Sequence, residues 1–156
     1  MNVLIVDDNE LAARALARII EREGHTVAVT REPTQALRLV RRLDIDLVIT
    51  DERMPGMAGS EILATLARLR PQCFRALTTG LTNATLLVAL INESRVEYVL
   101  EKPFDIERVR ALLRLAHNEK RCQARRRTTT YANAWSKLER DEAGAIVIAA
   151  DARAEA

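Results

Sequence analysis

Five polar positions stand apart in the chain: an Asp7-Asp8 pair, Asp51, Thr79 and Lys102, each next to a short apolar run. Carboxylates brought together repel by about 4 kcal/mol per pair at ~4 Å and an effective dielectric near 20, so such a cluster needs a cation or raised pKa values. A hard divalent ion is the economical partner. Mg2+ takes oxygen ligands and prefers one or two carboxylates with water and phosphate oxygens over a full protein cage. Lys102 adds an ammonium to the set. The chain holds 24 Lys plus Arg, yet its only lysines are Lys102, Lys120 and Lys137, so where any positive charge serves this sequence uses arginine. A compact ammonium on a flexible stem suits a crowded anionic site better than a planar guanidinium. Thr79 offers a hydroxyl donor, and Gly80 after it lets a ligand approach the backbone. Together these residue types are suited to holding a phosphoryl group.

They can meet only if the chain brings them to one edge. Short apolar runs alternate with amphipathic ones, the pattern of a parallel sheet flanked by helices. Strands are predicted at residues 3–6, 26–29, 45–50, 76–79 and 96–100. Helices are predicted at 11–22, capped by Asn9 and stopped by Gly24, from Pro33 through Leu43, around Ile62 to Leu69, at 86–91 and at 106–115. The first strand runs into Asp7-Asp8, the third into Asp51, the fourth ends on Thr78-Thr79 and the fifth runs into Glu101-Lys102. In an open parallel sheet all carboxyl ends share one edge, and ligands bind where the strand order reverses. Thr78 itself reads as strand filler, since side chains alternate.

At 156 residues, 48% of them apolar, the chain is one domain with a real core. A charged fraction of 29% and a net charge of +2 do not point globally to nucleic acid or a membrane surface. Cys73 and Cys122 match no metal spacing, the start MNVLIVDDN lacks signal-peptide regions, and no apolar run nears the roughly 20 residues of a membrane span. A reducing cytoplasm is the default location. Past Ala116 the pattern changes to a basic cluster, a Thr triplet and one apolar run at 144–150, read as a helical extension plus linker. The stretch DEAGAIVIAAD at 141–151 can also be the first strand of an output domain. Arg125-Arg126-Arg127 with Tyr131 and Trp135 has the look of a nucleic-acid patch. Residues 117–156 hold eight Lys or Arg against six Asp or Glu, however, so nucleic acid is not the expected partner.

Asp7-Asp8 in LIVDD, Asp51 in TDERMPGMAG, Thr79 in LTTG and the run Lys102-Pro103-Phe104 resemble the receiver domain of bacterial two-component response regulators. The resemblance covers about residues 1–118 and leaves 119–156 as helical extension or linker, with an output domain beyond it as the alternative. It implies an α/β fold of the flavodoxin-like (βα)5 type, strand order 2-1-3-4-5. It further implies that Asp51 accepts a phosphoryl group from a histidine kinase or phosphotransfer protein, and that Asp8 binds Mg2+ directly. Asp7 would bind it mainly through water, and the Arg53 backbone carbonyl would be a further ligand. Thr79, Gly80 and Lys102 would bind the phosphoryl group, while Pro55, Gly56, Gly59 and Pro103 shape the turns. Such a protein acts on itself and is not a turnover enzyme; it signals through the surface of residues 86–115, with homodimerisation through C-terminal helices as one output.

One departure stands out. Receivers usually carry an aromatic residue three positions before the lysine; here that position is Val99, and Tyr98 falls on the opposite strand face. Rotation of an aromatic is therefore not the expected switch, and coupling is expected to run through Thr79 and residues 80–83. The competing readings are an aspartyl-nucleophile phosphohydrolase, a receiver-like module that is never phosphorylated, and a longer transcriptional regulator. The hydrolase reading wants a second acid close after Asp51, and Arg53 occupies the position two residues on. The intact acidic and lysine set counts against the second. His25, His117 and the cysteines read as structural or solvated.

Overall fold

The computed structural model describes residues 1–80, 88, 91–92, 95–124 and 146–147. In chain order the elements are β1 (Asn2–Val6), α1 (Glu10–Arg22), β2 (Thr26–Thr30), α2 (Pro33–Arg42), β3 (Leu47–Asp51), α3 (Gly59–Leu69), β4 (Phe74–Thr79), β5 (Tyr98–Glu101), α4 (Ile106–Ala124) and β6 (Ile146–Val147). Each described strand pairing is parallel, and the order across the sheet is β5-β4-β3-β1-β2-β6. The first five strands thus take the expected 2-1-3-4-5 arrangement, the flavodoxin-like fold, and β6 adds to its β2 edge. The helix expected at 86–91 falls mostly outside the described residues, as do Arg125 to Arg127, Tyr131 and Trp135.

Local chemistry explains the boundaries. Asn9 caps α1, its side-chain oxygen accepting the Ala12 N–H at 3.1 Å. Pro33 opens α2, where its missing N–H costs nothing. The third strand starts at Leu47 rather than Ile45 because Asp46 turns its carboxylate to the Asn2 N–H, 2.7 Å away. The fifth starts at Tyr98 because the Glu97 side chain, rather than a strand ladder, takes up the Arg75 N–H at 2.6 Å.

Two apolar layers sandwich the sheet. One face of the strands packs with α1 and α4 through Leu16, Ile20, Val109 and Leu112; the other packs with α2 and α3 through Val40, Ile62, Leu63 and Leu66. Every residue of β3 and β4 is buried, which is what a parallel sheet covered on both faces imposes. No helix among the described residues is long and apolar enough to cross a membrane.

Candidate functional site

β1 and β3 are neighbours, and β4 flanks β3, so the ends of β1, β3 and β4 converge on one edge. Asp7, Asp8 and Asp51 each offer an oxygen there, all within 4.8 Å of one another. Asp7 is held on three sides. Its N–H donates to the Thr30 carbonyl at 3.2 Å, its Oδ1 accepts the Asn9 N–H at 2.8 Å, and its Oδ2 accepts from Lys102 Nζ at 3.0 Å. Lys102 Nζ also lies 2.7 Å from Asp51 Oδ1. Asp51 Oδ2 accepts the Arg53 N–H at 3.0 Å, which fixes the plane of its carboxylate.

Burial is the largest single influence on both Asp7 and Lys102, with opposite outcomes. It raises the Asp7 carboxyl above its ordinary range, although hydrogen bonds from Lys102 and Asn9 pull the other way. Burial pulls Lys102 down, but its hydrogen bonds to Asp51 and Asp7 together outweigh this, and its pKa is raised. Three carboxylates against one ammonium leave a surplus of negative charge. The donor set is made wholly of hard oxygens, so it fits Mg2+ better than a metal that prefers nitrogen or sulfur.

Thr79 ends β4, almost fully buried, and its carbonyl accepts the Lys102 N–H at 2.9 Å, tying the β4 end to the lysine. Gly80 follows, and the Arg53 guanidinium stands 3.8 Å from where a Cβ on Gly80 would be. The Lys102–Pro103 peptide bond is cis. Phe104 lies beneath the ammonium, with Nζ 5.9 Å from the ring centroid. Glu101 does not join the site: its carboxylate pairs outward with Arg108 at 2.8 Å.

The loop after β3 is shaped as its glycines require. Gly56 adopts φ +87°, a left-handed conformation that favours glycine, next to Pro55. Gly59 serves a different need. A Cβ there would fall 2.1 Å from the Asp51 carbonyl oxygen, so α3 begins against the backbone of Asp51 and only glycine fits.

Two residues of this region escape a reading by strand ends alone. Thr78 is more than filler: its hydroxyl donates to Asp51 Oδ1 at 3.3 Å, because Thr78 sits opposite Asp51 in the β3–β4 register. Alternation along one strand could not show a contact made across two. Glu52 accepts both the N–H and the hydroxyl of Ser60, each at 2.9 Å, clamping the start of α3 to the end of β3. Its signal was an acid beside Asp51 and a serine in the first turn of the next helix.

Residues 3–114 match the model of the response regulator receiver domain family. A response regulator receiver protein of Anaeromyxobacter sp. (strain Fw109-5) is 36% identical over 106 residues, covering 68% of this chain and 44% of that protein. The DNA-binding response regulator MtrA of Mycobacterium tuberculosis (strain ATCC 25618 / H37Rv) is 34% identical over 121 residues, covering 75% of this chain and 52% of that one. The chain therefore spans about half the length of these curated relatives. Among solved structures, the signal receiver domain of an HD domain-containing protein from Pseudomonas fluorescens Pf-5 superposes with TM-score 0.75 at 30% identity, covering 81% of this chain and 93% of that one.

Proposed function

The chain belongs to the response regulator receiver family, and from that premise we propose that it is a phosphorylation switch whose Asp51 accepts a phosphoryl group from a phosphohistidine on a histidine kinase or phosphotransfer protein. The observation that carries this reading is the Asp51 carboxylate held 2.7 Å from Lys102 Nζ inside the acidic cluster with Asp7 and Asp8. An in-line phosphoryl transfer asks for positioning and charge neutralisation more than for covalent help, and aspartate is a recognised nucleophile.

In the step proposed, an Asp51 oxygen attacks phosphorus. The new O–P bond forms as the donor P–N bond breaks, and the electron pair returns to the imidazole, which takes up a proton. Mg2+ held by Asp7, Asp8, Asp51 and the Arg53 carbonyl would supply positive charge to the phosphoryl oxygens. The Arg53 N–H and the Thr78 hydroxyl orient the carboxylate. Lys102 moves its donors from carboxylate to phosphoryl oxygens, the Thr79 hydroxyl donates to another, and Gly80 leaves the approach clear. Pro55, Gly56, Gly59 and Pro103 hold the loops in shape around it. The chemistry modifies the protein itself, so turnover of an external substrate is not part of this reading.

We assign the receiver to residues 1–118 and read 119–156 as an extension of it, whose helical part offers a face for a homodimer. Because the curated relatives are about twice as long, a second reading makes this segment the receiver of a longer regulator whose output lies elsewhere. Both rest on the same test. Incubation with Mg2+ and acetyl phosphate should add one phosphoryl group to the wild type and none to Asp51→Asn, as read by mass. Equal labelling of both, or of neither, overturns the proposal, and a change of oligomeric size on labelling identifies self-association as the output.

A further inference from the structure

The β2 edge of the sheet presents an unusual problem. β2 reads TVAVT, without a charge or a proline, and Val27, Ala28, Val29 and Thr30 are all buried. Val27 and Val29 face the α1 and α4 layer while Ala28 faces the α2 and α3 layer, so both faces are covered and only the lateral edge is left. Uncharged β-branched edges template pairing with other chains, and proteins blunt them with charges, prolines, short strands or a cover. The opposite edge is blunted: β5 is four residues long and ends on Glu101. The β2 edge uses none of these devices in its own sequence.

It is covered instead. β6 runs parallel to β2 with Ile146 opposite Ala28 and Val147 opposite Val29. The sequence around it, GAIVIAA at 144–150, is unbroken apolar between Asp141-Glu142 and Asp151, as expected of a strand inside a parallel sheet. Chain direction favours donation within one molecule. The step from β5 to β6 runs across the sheet in the same direction as that from β1 to β2, and α4 lies on the same face as α1. A β5-α4-β6 connection therefore has the same hand as β1-α1-β2, the hand that nearly all parallel crossovers adopt.

We infer that the β2 edge is a strand-accepting surface whose partner is this molecule's own Ile146–Val147, a sixth strand that closes the sheet against pairing with a second copy. The segment is thereby part of the receiver's sheet rather than the first strand of a separate output domain. The inference is independent of phosphorylation.

Amide hydrogen exchange on the unmodified chain tests it directly. Ile146, whose N–H the register turns toward β2, should exchange at least about tenfold more slowly than unstructured peptide, and the Val29 amide that faces it should be protected with it. Exchange of Ile146 at free-peptide rates overturns the inference. Ile146→Pro, which introduces a ring and removes the donor that faces β2, should speed exchange of Val29 while Ala28 and Thr30, whose N–H groups turn to β1, and the strands β3 and β4 keep their protection. Unchanged Val29 protection overturns it as well. The donor is settled by sedimentation of the wild type at low and high concentration. Protection in a monomer supports donation in cis; protection that appears only with a concentration-dependent dimer assigns the strand to a second copy and overturns it.

Discussion

Lys102 Nζ lies 2.7 Å from Asp51 Oδ1 and 3.0 Å from Asp7 Oδ2, the latter a residue 95 positions away in the chain. A single ammonium thus holds two mostly buried carboxylates together and leaves a third, Asp8, in the same cluster. Removing it leaves like charges facing one another at a partly buried edge of the sheet. Lys102→Met should lower stability in metal-free buffer by about 1–3 kcal/mol, less than a fully buried pair because the lysine side chain is 27% exposed. A divalent ion should then restore more stability to the variant than to the wild type, since it no longer competes with the ammonium. Thermal unfolding with EDTA and with Mg2+ measures both effects; an equal Mg2+ increment in the two proteins would refute this account of the cluster.

Gly59 makes a sharper geometric demand. The added methyl of Gly59→Ala would meet the Asp51 carbonyl oxygen at 2.1 Å and its carbon at 2.8 Å, and these are backbone atoms of a buried strand that cannot swing aside. Overpacking of this kind costs about 1–3 kcal/mol. The variant should also accept phosphate from acetyl phosphate more slowly, even below its melting temperature, because relief of the clash displaces Asp51. A Gly59→Ala protein with wild-type unfolding temperature and labelling rate would contradict it.

The fold and the site core were readable from sequence for a physical reason. Each of β1, β3 and β4 carries an apolar run, Val3 to Val6, Leu47 to Ile49 and Ala76-Leu77, that gives way to polar residues at its carboxyl end, so a count of runs already aligns Asp7, Asp51 and Thr79 on one edge. What escaped reading depends on neighbours across the sheet or on side-chain reach. Thr78 touches Asp51 only through register, and Glu52 reaches Ser60 eight residues on. Gly59 was readable as a turn residue, but its reason, close approach rather than a positive φ, was not. The pairing of Ile146–Val147 with β2 was equally hidden, because an apolar strand carries no mark of which sheet edge it joins.

At the other end of the sheet, Arg75 is buried with its guanidinium donating to the carbonyls of Cys73 at 2.7 Å and Arg95 at 3.0 Å, and to Glu97 Oε1 at 2.6 Å. Burial raises the Glu97 carboxyl, and its bonds to the Arg75 backbone and side chain oppose that rise. Arg75→Met strands this carboxylate along with the carbonyls and should cost about 3 kcal/mol. Glu97→Gln keeps an acceptor and should cost about 1 kcal/mol. Urea unfolding of both single variants checks the asymmetry; equal costs would show that the pair is merely superficial.

A pH dependence follows from His25. Its ring Nδ1 lies 3.2 Å from the Met1 amino group, and burial lowers its pKa, with the positive charges of Met1 and His117 adding to the effect while Glu23 and Asp46 oppose it. Arg110 and Arg114 line the same groove on the α4 side. A histidine depressed in the folded state stabilises the fold above its ordinary value near 6.5 and loses that contribution as pH falls through the lower folded value. As pH falls below about 6.5, the unfolding temperature of the wild type should therefore drop more steeply than that of His25→Gln. Parallel curves would remove His25 as the cause.

Tyr98 bears on how any switching signal leaves the site. Its ring packs in the layer of α1 and α4, and its hydroxyl lies 3.3 Å from the Arg108 carbonyl, whereas Val99 packs in the opposite layer. The strand register sets Tyr98 beside Ala76 and Val99 beside Leu77, so neither lies opposite Thr79, whose partner is Glu101. A ring in this position cannot follow a movement of Thr79 without leaving the α4 layer and its hydrogen bond. Tyr98→Phe should therefore cost under about 1.5 kcal/mol, the value of one exposed hydrogen bond, and leave any phosphorylation-dependent change in oligomeric size or backbone exchange intact. Loss of that response in Tyr98→Phe, or a phosphorylated form in which the ring has moved from its layer into solvent, would reinstate the aromatic as the switch.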